Sequence, residues 1–325
     1  MGGLHRPFFN SNSANIAMNK IEIKRKHHYV WAHYLNSWKE NGTLCNVFSL
    51  SKKTGRIVSD STKGIACEQL FYKLNHFTDF DIQHFSSLIN LTNIDIRELH
   101  REHFNSFTRI LELTPQEKSK DPDLQHEIEA ILCNTMENYH SSYESDFIKL
   151  HNTLLNHTPR QFTSDEHLSL ANYIGQQITR TKNFKKKTLN SLATDSPYHQ
   201  CYKNHWWFIS HFFGVNISAE IFFNRNTYNF ELLIANENHR FITSDQPVIN
   251  ISMHFQSEMM LYYPLSPQKA LLISPKGTGA ITETMVSEDE VASLNSKISL
   301  RADDRLFASQ KEDLEEVRSI FLNTT

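Results

Sequence analysis

Arg180 follows Gln177 by three residues in the run QQITRT, and four lysines come close behind it at Lys182, Lys185, Lys186 and Lys187. Residues three apart lie on the same side of a helix, so this spacing carries an amide and a guanidinium to one edge of an apolar stripe. A guanidinium there could stabilise the charge that develops on a phosphorane-like transition state. Phosphodiester cleavage without a metal also needs a base for the attacking hydroxyl and an acid for the leaving oxygen. The adjacent histidines His27 and His28 are the right residue types for both. The lysines would add a basic approach making sequence-independent, salt-sensitive phosphate contacts. Each residue also has a plainer reading. A buried arginine needs acidic and amide partners simply to be buried, and lysines at a helix C-terminus complement its macrodipole.

The segment that must position Arg180 opens with a capping box, Thr163 and Glu166. It then reads as one helix from Thr163 to Lys187, with Leu170, Ala171, Ile174 and Ile178 on one face. Two more helical stretches precede it, over residues 79–113 with a break near Asn90 to Asn93, and over residues 122–156. Three long helices joined by short loops predict antiparallel neighbours. Before them LCNVFSL and RIVS flank a turn ending at Gly55, a hairpin pattern. After them YNFELLIA and HRFIT read as a second hairpin, MMLYYPLSP and ALLISP as further strands, and VASLNSKISLRADDRLFAS and KEDLEEVRSIFLN as closing helices. The expected fold class is α+β: a central helical bundle with an N-terminal β-hairpin and a small C-terminal antiparallel sheet. One domain over residues 20–325 is expected behind an Asn- and Ser-rich disordered tail, residues 1–19, with Met18 a candidate natural start.

Composition removes several function classes. The 325 residues carry a formal net charge of −3, so total charge argues for neither nucleic acid nor membrane and any basic surface must be local. No apolar run approaches the roughly 20 residues that span a bilayer, and the N-terminus lacks the order of a signal peptide. Cys45, Cys67, Cys133 and Cys201 contain no CxxC pair and read as reduced thiols, which with the missing signal peptide points to the cytoplasm and away from the membrane. There is no GxSxG elbow, no phosphate-binding GxxxxGK[ST] loop and no dinucleotide fingerprint.

HHYVWAHYLNSW, CEQLFY, QQITRT, FITSDQPV, LYYPLSP and LNSKISLRADDRLFAS occur in that order. In order and spacing they resemble the bacterial domain-of-unknown-function family numbered 4238, over most of residues 26–310. Trp31 and Ala32 stand where that family usually carries Pro and Gln, and Trp38 replaces its common Phe. The resemblance implies no reaction. It implies a bacterial protein from variable genomic neighbourhoods, and so a role in defence against phage or as a toxin. The polar residues inside the matching segments are His27, His28, Glu68, Gln177, Arg180, Ser244, Asp245 and Asn295.

On this set the expected function is a nuclease-like effector cleaving RNA or DNA, with Asp245, just beyond a strand end, orienting the histidine. The alternative is a non-catalytic sensor or partner-binding module, with a protein partner or as a homo-oligomer, in which Arg180, Glu68 and Asp245 form a structural ion-pair network. A metal variant would use His28, Glu68 and Asp245 as mixed nitrogen and oxygen ligands for Mn, Mg or Zn, although no HExxH supports it. A hydrolase of a small phosphorylated or glycosidic substrate using Glu68 and Asp245 is a third class.

Overall fold

The computed structural model describes residues 21–156, 161–252 and 259–323, so the expected tail over residues 1–19 lies outside the described residues. The chain begins with β1 (Lys26–His28), α1 (Ala32–Leu35), a 3-10 turn (Asn36–Trp38), the hairpin β2 (Asn46–Ser51) and β3 (Ile57–Ser61), and β4 (Cys67–Gln69). A helical block follows: α2 (Asp79–Asn90), α3 (Ile94–Leu113), α4 (Pro122–Asn156), α5 (Ser164–Thr179), α6 (Lys182–Asn190), α7 (Pro197–Asn204) and α8 (Trp206–Phe223). The remainder alternates β5 (Tyr228–Ile234), β6 (Thr243–Ser244), β7 (Ile249–Asn250), β8 (Leu261–Pro264), β9 (Lys269–Pro275), β10 (Ile281–Met285), α9 (Glu288–Arg301), β11 (Arg305–Ala308) and α10 (Lys311–Leu322).

The helix α5 is the centre of the helical block. Its N-terminus carries the expected capping box: the Glu166 amide donates to the Thr163 hydroxyl at 3.2 Å and the Thr163 amide to the Glu166 carboxylate at 2.8 Å. It packs between α4 and α8. The α8 contact is close enough to require glycine. A Cβ on Gly175 would lie 2.9 Å from the Ser218 amide nitrogen and closer still to Ser218 Oγ and the Gly214 carbonyl. α8 is apolar on all sides, and Trp206, Trp207, Phe208 and Ile209 are buried accordingly.

The helix expected to run to Lys187 stops at Thr179 instead. Arg180 is its C-cap, and the Thr181 hydroxyl accepts from the Phe184 amide at 3.4 Å, starting a new helix. The lysines therefore belong to α6, beginning at its first residue, and only Lys187 lies in a last turn where the macrodipole favours it.

The fold is α+β, but its sheets are larger and less local than the sequence pattern suggests. One sheet has the order β10-β5-β9-β8-β7, with β10 parallel to β5 and every other pair antiparallel. The expected hairpin of YNFELLIA with HRFIT does not form. β5 pairs with β9 and β10, while Thr243 and Ser244 join a second sheet of order β3-β2-β11-β6. The segment RLFA, expected to be helical, is the strand β11, which ties the N-terminal hairpin to the C-terminal half.

Alternation along the strands covers both faces of the five-stranded sheet. Phe230, Leu232, Leu271, Ile273, Leu261 and Tyr263 face the core of the helical block, whereas Leu233, Ala270 and Tyr262 face a second core with α9, α10 and β11. The N-terminal segment is strapped along α4, where the Lys24 amide donates to Asn134 Oδ1 and Asn134 Nδ2 donates to the Glu22 carbonyl, both at 2.8 Å. Among the described residues no helix is long and apolar enough to cross a membrane.

Candidate functional site

The β1–β4 ribbon sets the two histidines apart. It pairs His27 with Glu68 and His28 with Cys67, and successive strand residues point to opposite faces. His27 is fully buried. Its Nδ1 accepts the Tyr72 amide at 2.8 Å and its Nε2 donates to the Lys24 carbonyl at 2.9 Å, so the ring is neutral with both nitrogens engaged. Burial lowers its pKa against the pull of Glu137. His28 is the opposite case. Glu137 Oε1 lies 3.4 Å from its Nδ1 and also accepts its amide at 3.2 Å, while its Nε2 is 3.3 Å from the Lys63 carbonyl. The bond to Glu137 raises its pKa against the cost of burial. The His28 side chain remains 25% exposed, so a charged imidazole here meets water.

Arg180 is 2% exposed. Its Nη1 lies 2.7 Å from Glu144 Oε1, and its Nε and Nη2 donate to Gln177 Oε1 at 3.2 and 2.6 Å. Gln177 then spends its Nε2 on the Tyr29 carbonyl at 2.9 Å, and the Tyr72 hydroxyl donates to the Arg180 carbonyl. Burial raises the Glu144 carboxyl above its ordinary range, with Arg180 pulling the other way. The spacing of Gln177 and Arg180 thus carries a real contact, and the guanidinium charge is met from inside by Glu144.

Glu137, His140 and Glu144 form the α4 wall of this region. They stand three and seven residues apart, which at 3.6 residues per turn is one helix face. His140 is 2% exposed, and neither of its ring nitrogens has a hydrogen-bond partner. Burial first, then the Arg180 charge, holds it well below the usual histidine range, hence neutral. Glu137 Oε2 is likewise buried without a partner. Buried polar atoms are overwhelmingly satisfied in folded proteins, so the unsatisfied ones gathered beside a paired histidine set this polar cluster, the α4 chamber, apart from the rest of the core. The α4 acids were missed in the sequence. The one signal for them was ENYHSSYE, polar groups at helical spacing along the apolar face that carries Met136, Tyr139 and Phe147.

The other expected site residues lie around this chamber or away from it. Glu68 is 2.8 Å from Lys182 Nζ, and Lys182 also sits over the Tyr29 ring. Lys185 lies over Phe71 and Trp206, and burial lowers its pKa. Lys186 pairs with Asp303 at 3.3 Å, and Lys187 is exposed. Asp245 does not orient a histidine. Its carboxylate accepts the amides of Asp303, Asp304 and Arg305 at 3.0, 2.7 and 3.1 Å, locking β6 to the start of β11. Burial outweighs those donors and pushes its pKa up to about 7. Asn295 accepts from the Ile242 amide at 3.0 Å and donates to the Arg240 carbonyl at 2.8 Å, clamping α9 to the strand entrance. Ser244 exchanges hydrogen bonds with the Gln246 backbone. His28, Glu68 and Asp245, the set a metal would need, are engaged with three separate partners. Among the described residues no group of three or more His, Cys, Asp or Glu is arranged to hold a metal ion.

A family model described as a protein of unknown function (DUF4238) matches residues 26–312. The chain belongs to the DUF4238 family. No curated protein and no solved structure matches it. In this DUF4238 chain the segments that carry the match divide between two places. HHY, CEQLFY and QQITRT meet at the α4 chamber. The ends of YLNSW, LYYPLSP and DDRLFAS meet at a hollow lined by Asn36, Ser266 and Ser309.

Proposed function

We propose that this chain cleaves nucleic-acid phosphodiesters, with the His28–Glu137 pair supplying the acid. One observation supports the reading: a carboxylate favours the charged form of a water-accessible histidine, beside a second carboxyl whose affinity for protons burial has raised. Glu144 would take the proton of the attacking water or 2′-hydroxyl as the new phosphorus–oxygen bond forms. The bond to the leaving oxygen breaks, and that oxygen takes the proton from His28. Arg180, held behind Glu144, acts as a positioning residue, and Lys182 is the cation that an incoming phosphate meets first. A role in anti-phage defence or as a toxin follows from the family resemblance alone.

The test is degradation of labelled single-stranded RNA and DNA by purified protein, beside His28→Ala and Glu137→Gln. Each variant should lose on the order of a hundredfold or more in rate, the usual contribution of a general acid. If both variants are folded and as active as the parent, the assignment is wrong.

A second reading has its own support. Arg180, Asp245 and Asn295 have their hydrogen-bonding capacity met from inside the protein, as expected of a non-catalytic partner-binding module. That module would show no cleavage in the parent, a large loss of Tm on Arg180→Ala and little change on His28→Ala.

A further inference from the structure

The strand β1 belongs to a two-stranded ribbon, a form that is marginal by itself. Its pairing with β4 is extended by Arg25 and Tyr29: the Leu70 amide donates to the Arg25 carbonyl at 2.8 Å, and the Tyr29 amide to the Ala66 carbonyl at 3.0 Å. Lys24 and His28, one residue out of step with these, turn their amides toward α4 instead, as alternate residues of a strand do. Two α4 side chains meet them. The Lys24 amide donates to Asn134 Oδ1 and Asn134 Nδ2 donates to the Glu22 carbonyl, both at 2.8 Å. Three residues on, along the same helix face, Glu137 accepts the His28 amide at 3.2 Å. On this edge α4 stands where a third strand would.

The grip matters because the chain here reads Lys-His-His over residues 26–28. A one-residue slip in a strand sends every side chain to the opposite face, and two identical neighbours cannot themselves select which is buried. The hydrogen bonds select. Asn134 holds Lys24, the Lys24 carbonyl accepts from His27 Nε2 at 2.9 Å, and His27 Nδ1 accepts the Tyr72 amide at 2.8 Å. His27 is thereby fixed in the interior, and His28 is left facing Glu137 and water. Lys24 is tied once more, its Nζ donating to Asn138 Oδ1 at 2.7 Å. Asn134 is 8% exposed and has both ends of its amide bonded to backbone.

We propose that Asn134 is a positioning residue for His28: its amide holds the backbone of residues 22–24 and so sets which of the two histidines meets Glu137. The inference rests on the cleavage reading only in treating His28 as the acid. The placement of the two rings is measurable without substrate.

The experiment is NMR titration of the histidine rings of the full chain, each ring assigned through its own backbone amide. In the parent, His28 should titrate above 6.5 and His27 should stay neutral below it, with its proton on Nε2. Asn134→Ala should bring the His28 midpoint down to about 6.5, the ordinary value, and make His27 titrate. The alkaline limb of the cleavage pH profile should move to lower pH by the same amount, since the acid must carry its proton. His126→Ala removes a contact of the same N-terminal segment, His126 Nε2 to the Ile21 carbonyl at 2.7 Å, and should leave both rings titrating as in the parent. If Asn134→Ala does not fold, Asn134→Ser, which leaves a hydroxyl for the stranded groups, takes the same measurement. The proposal fails if the folded variant titrates like the parent at both rings, or if His126→Ala shifts His28 as far. Expected titrations with no cleavage by the parent would overturn the proposed function and uphold the role of Asn134.

Discussion

A buried guanidinium is costly when no partner is there to meet its charge. Arg180 has Glu144 at 2.7 Å and almost no water, so Glu144→Ala should cost about 3–5 kcal/mol, the usual result of stranding a buried charge. Urea denaturation of the variant measures this, and a cost below about 1 kcal/mol, the scale of a surface pair, would show that water reaches Arg180. Two titrating groups make stability depend on pH in the same direction. The Asp245 carboxyl is raised from 3.8 to about 7 on folding, so the native state holds its proton more tightly and stability falls as pH rises between about 4 and 7. His28 is raised above its ordinary 6.5; its contribution is complete below the unfolded value and is lost as pH rises through the folded one. Melts of Asp245→Asn against pH should therefore be flatter between about 4 and 7, at a constant cost of about 1–3 kcal/mol for turning one acceptor toward amide donors. His28→Ala should flatten only the part above 6.5. At this scale the sequence revealed which residues matter better than it revealed their partners. Gln177 and Arg180 could be paired by spacing, but Glu144 comes from another helix and Asp245 is satisfied by backbone amides, which have no residue type to read.

Among elements, the break between α5 and α6 was the least legible feature. Nothing in QQITRTKNF contains Gly or Pro, and Thr181 caps α6 with Phe184, not an acid, at the third helical position, so the capping-box signature is missing. Thr163 with Glu166 does have that signature and was legible for the same reason. Thr163→Ala and Thr181→Ala should each cost about 1 kcal/mol, the usual value of an N-cap, measurable as a fall in Tm. The α5–α8 crossing is less tolerant. A methyl group added at Gly175 would overlap Ser218 Oγ and the Gly214 carbonyl, so Gly175→Ala must push a helix backbone. It should cost about 3 kcal/mol or more, the upper end of overpacking penalties, even though alanine favours helix. Equal Tm for parent and variant would show that the two helices can separate freely. The strand β11 was missed because its apolar residues Leu306 and Phe307 are adjacent and follow a helical run. Its identity comes from β2 and β6 on either side.

For the whole molecule, helix content and fold class could be read from local periodicity, whereas sheet membership could not, because β5, β6 and β11 find partners far away in the chain. The two hydrophobic cores meet across one sheet, with Leu232 on one face and Leu233 on the other. Unfolding should therefore be a single event. Trp31, Trp38, Trp206 and Trp207 all report on the helical-side core, while far-UV circular dichroism reports on every helix and strand. The two urea transitions should coincide, and a circular-dichroism step outside the fluorescence transition would show that the second core melts alone.

The position of β11 also has a consequence for biosynthesis. β2 and β3 leave the ribosome before β11 as a bare hairpin, a form that is marginal in water by itself. The strand that completes their sheet begins only at Arg305, so Leu50, fully buried in the finished protein within the core that β11 helps to form, must wait uncovered until that strand emerges. A nascent chain stalled just before Arg305 would present a sticky, half-built ribbon, and chaperone dependence should be greatest at that moment.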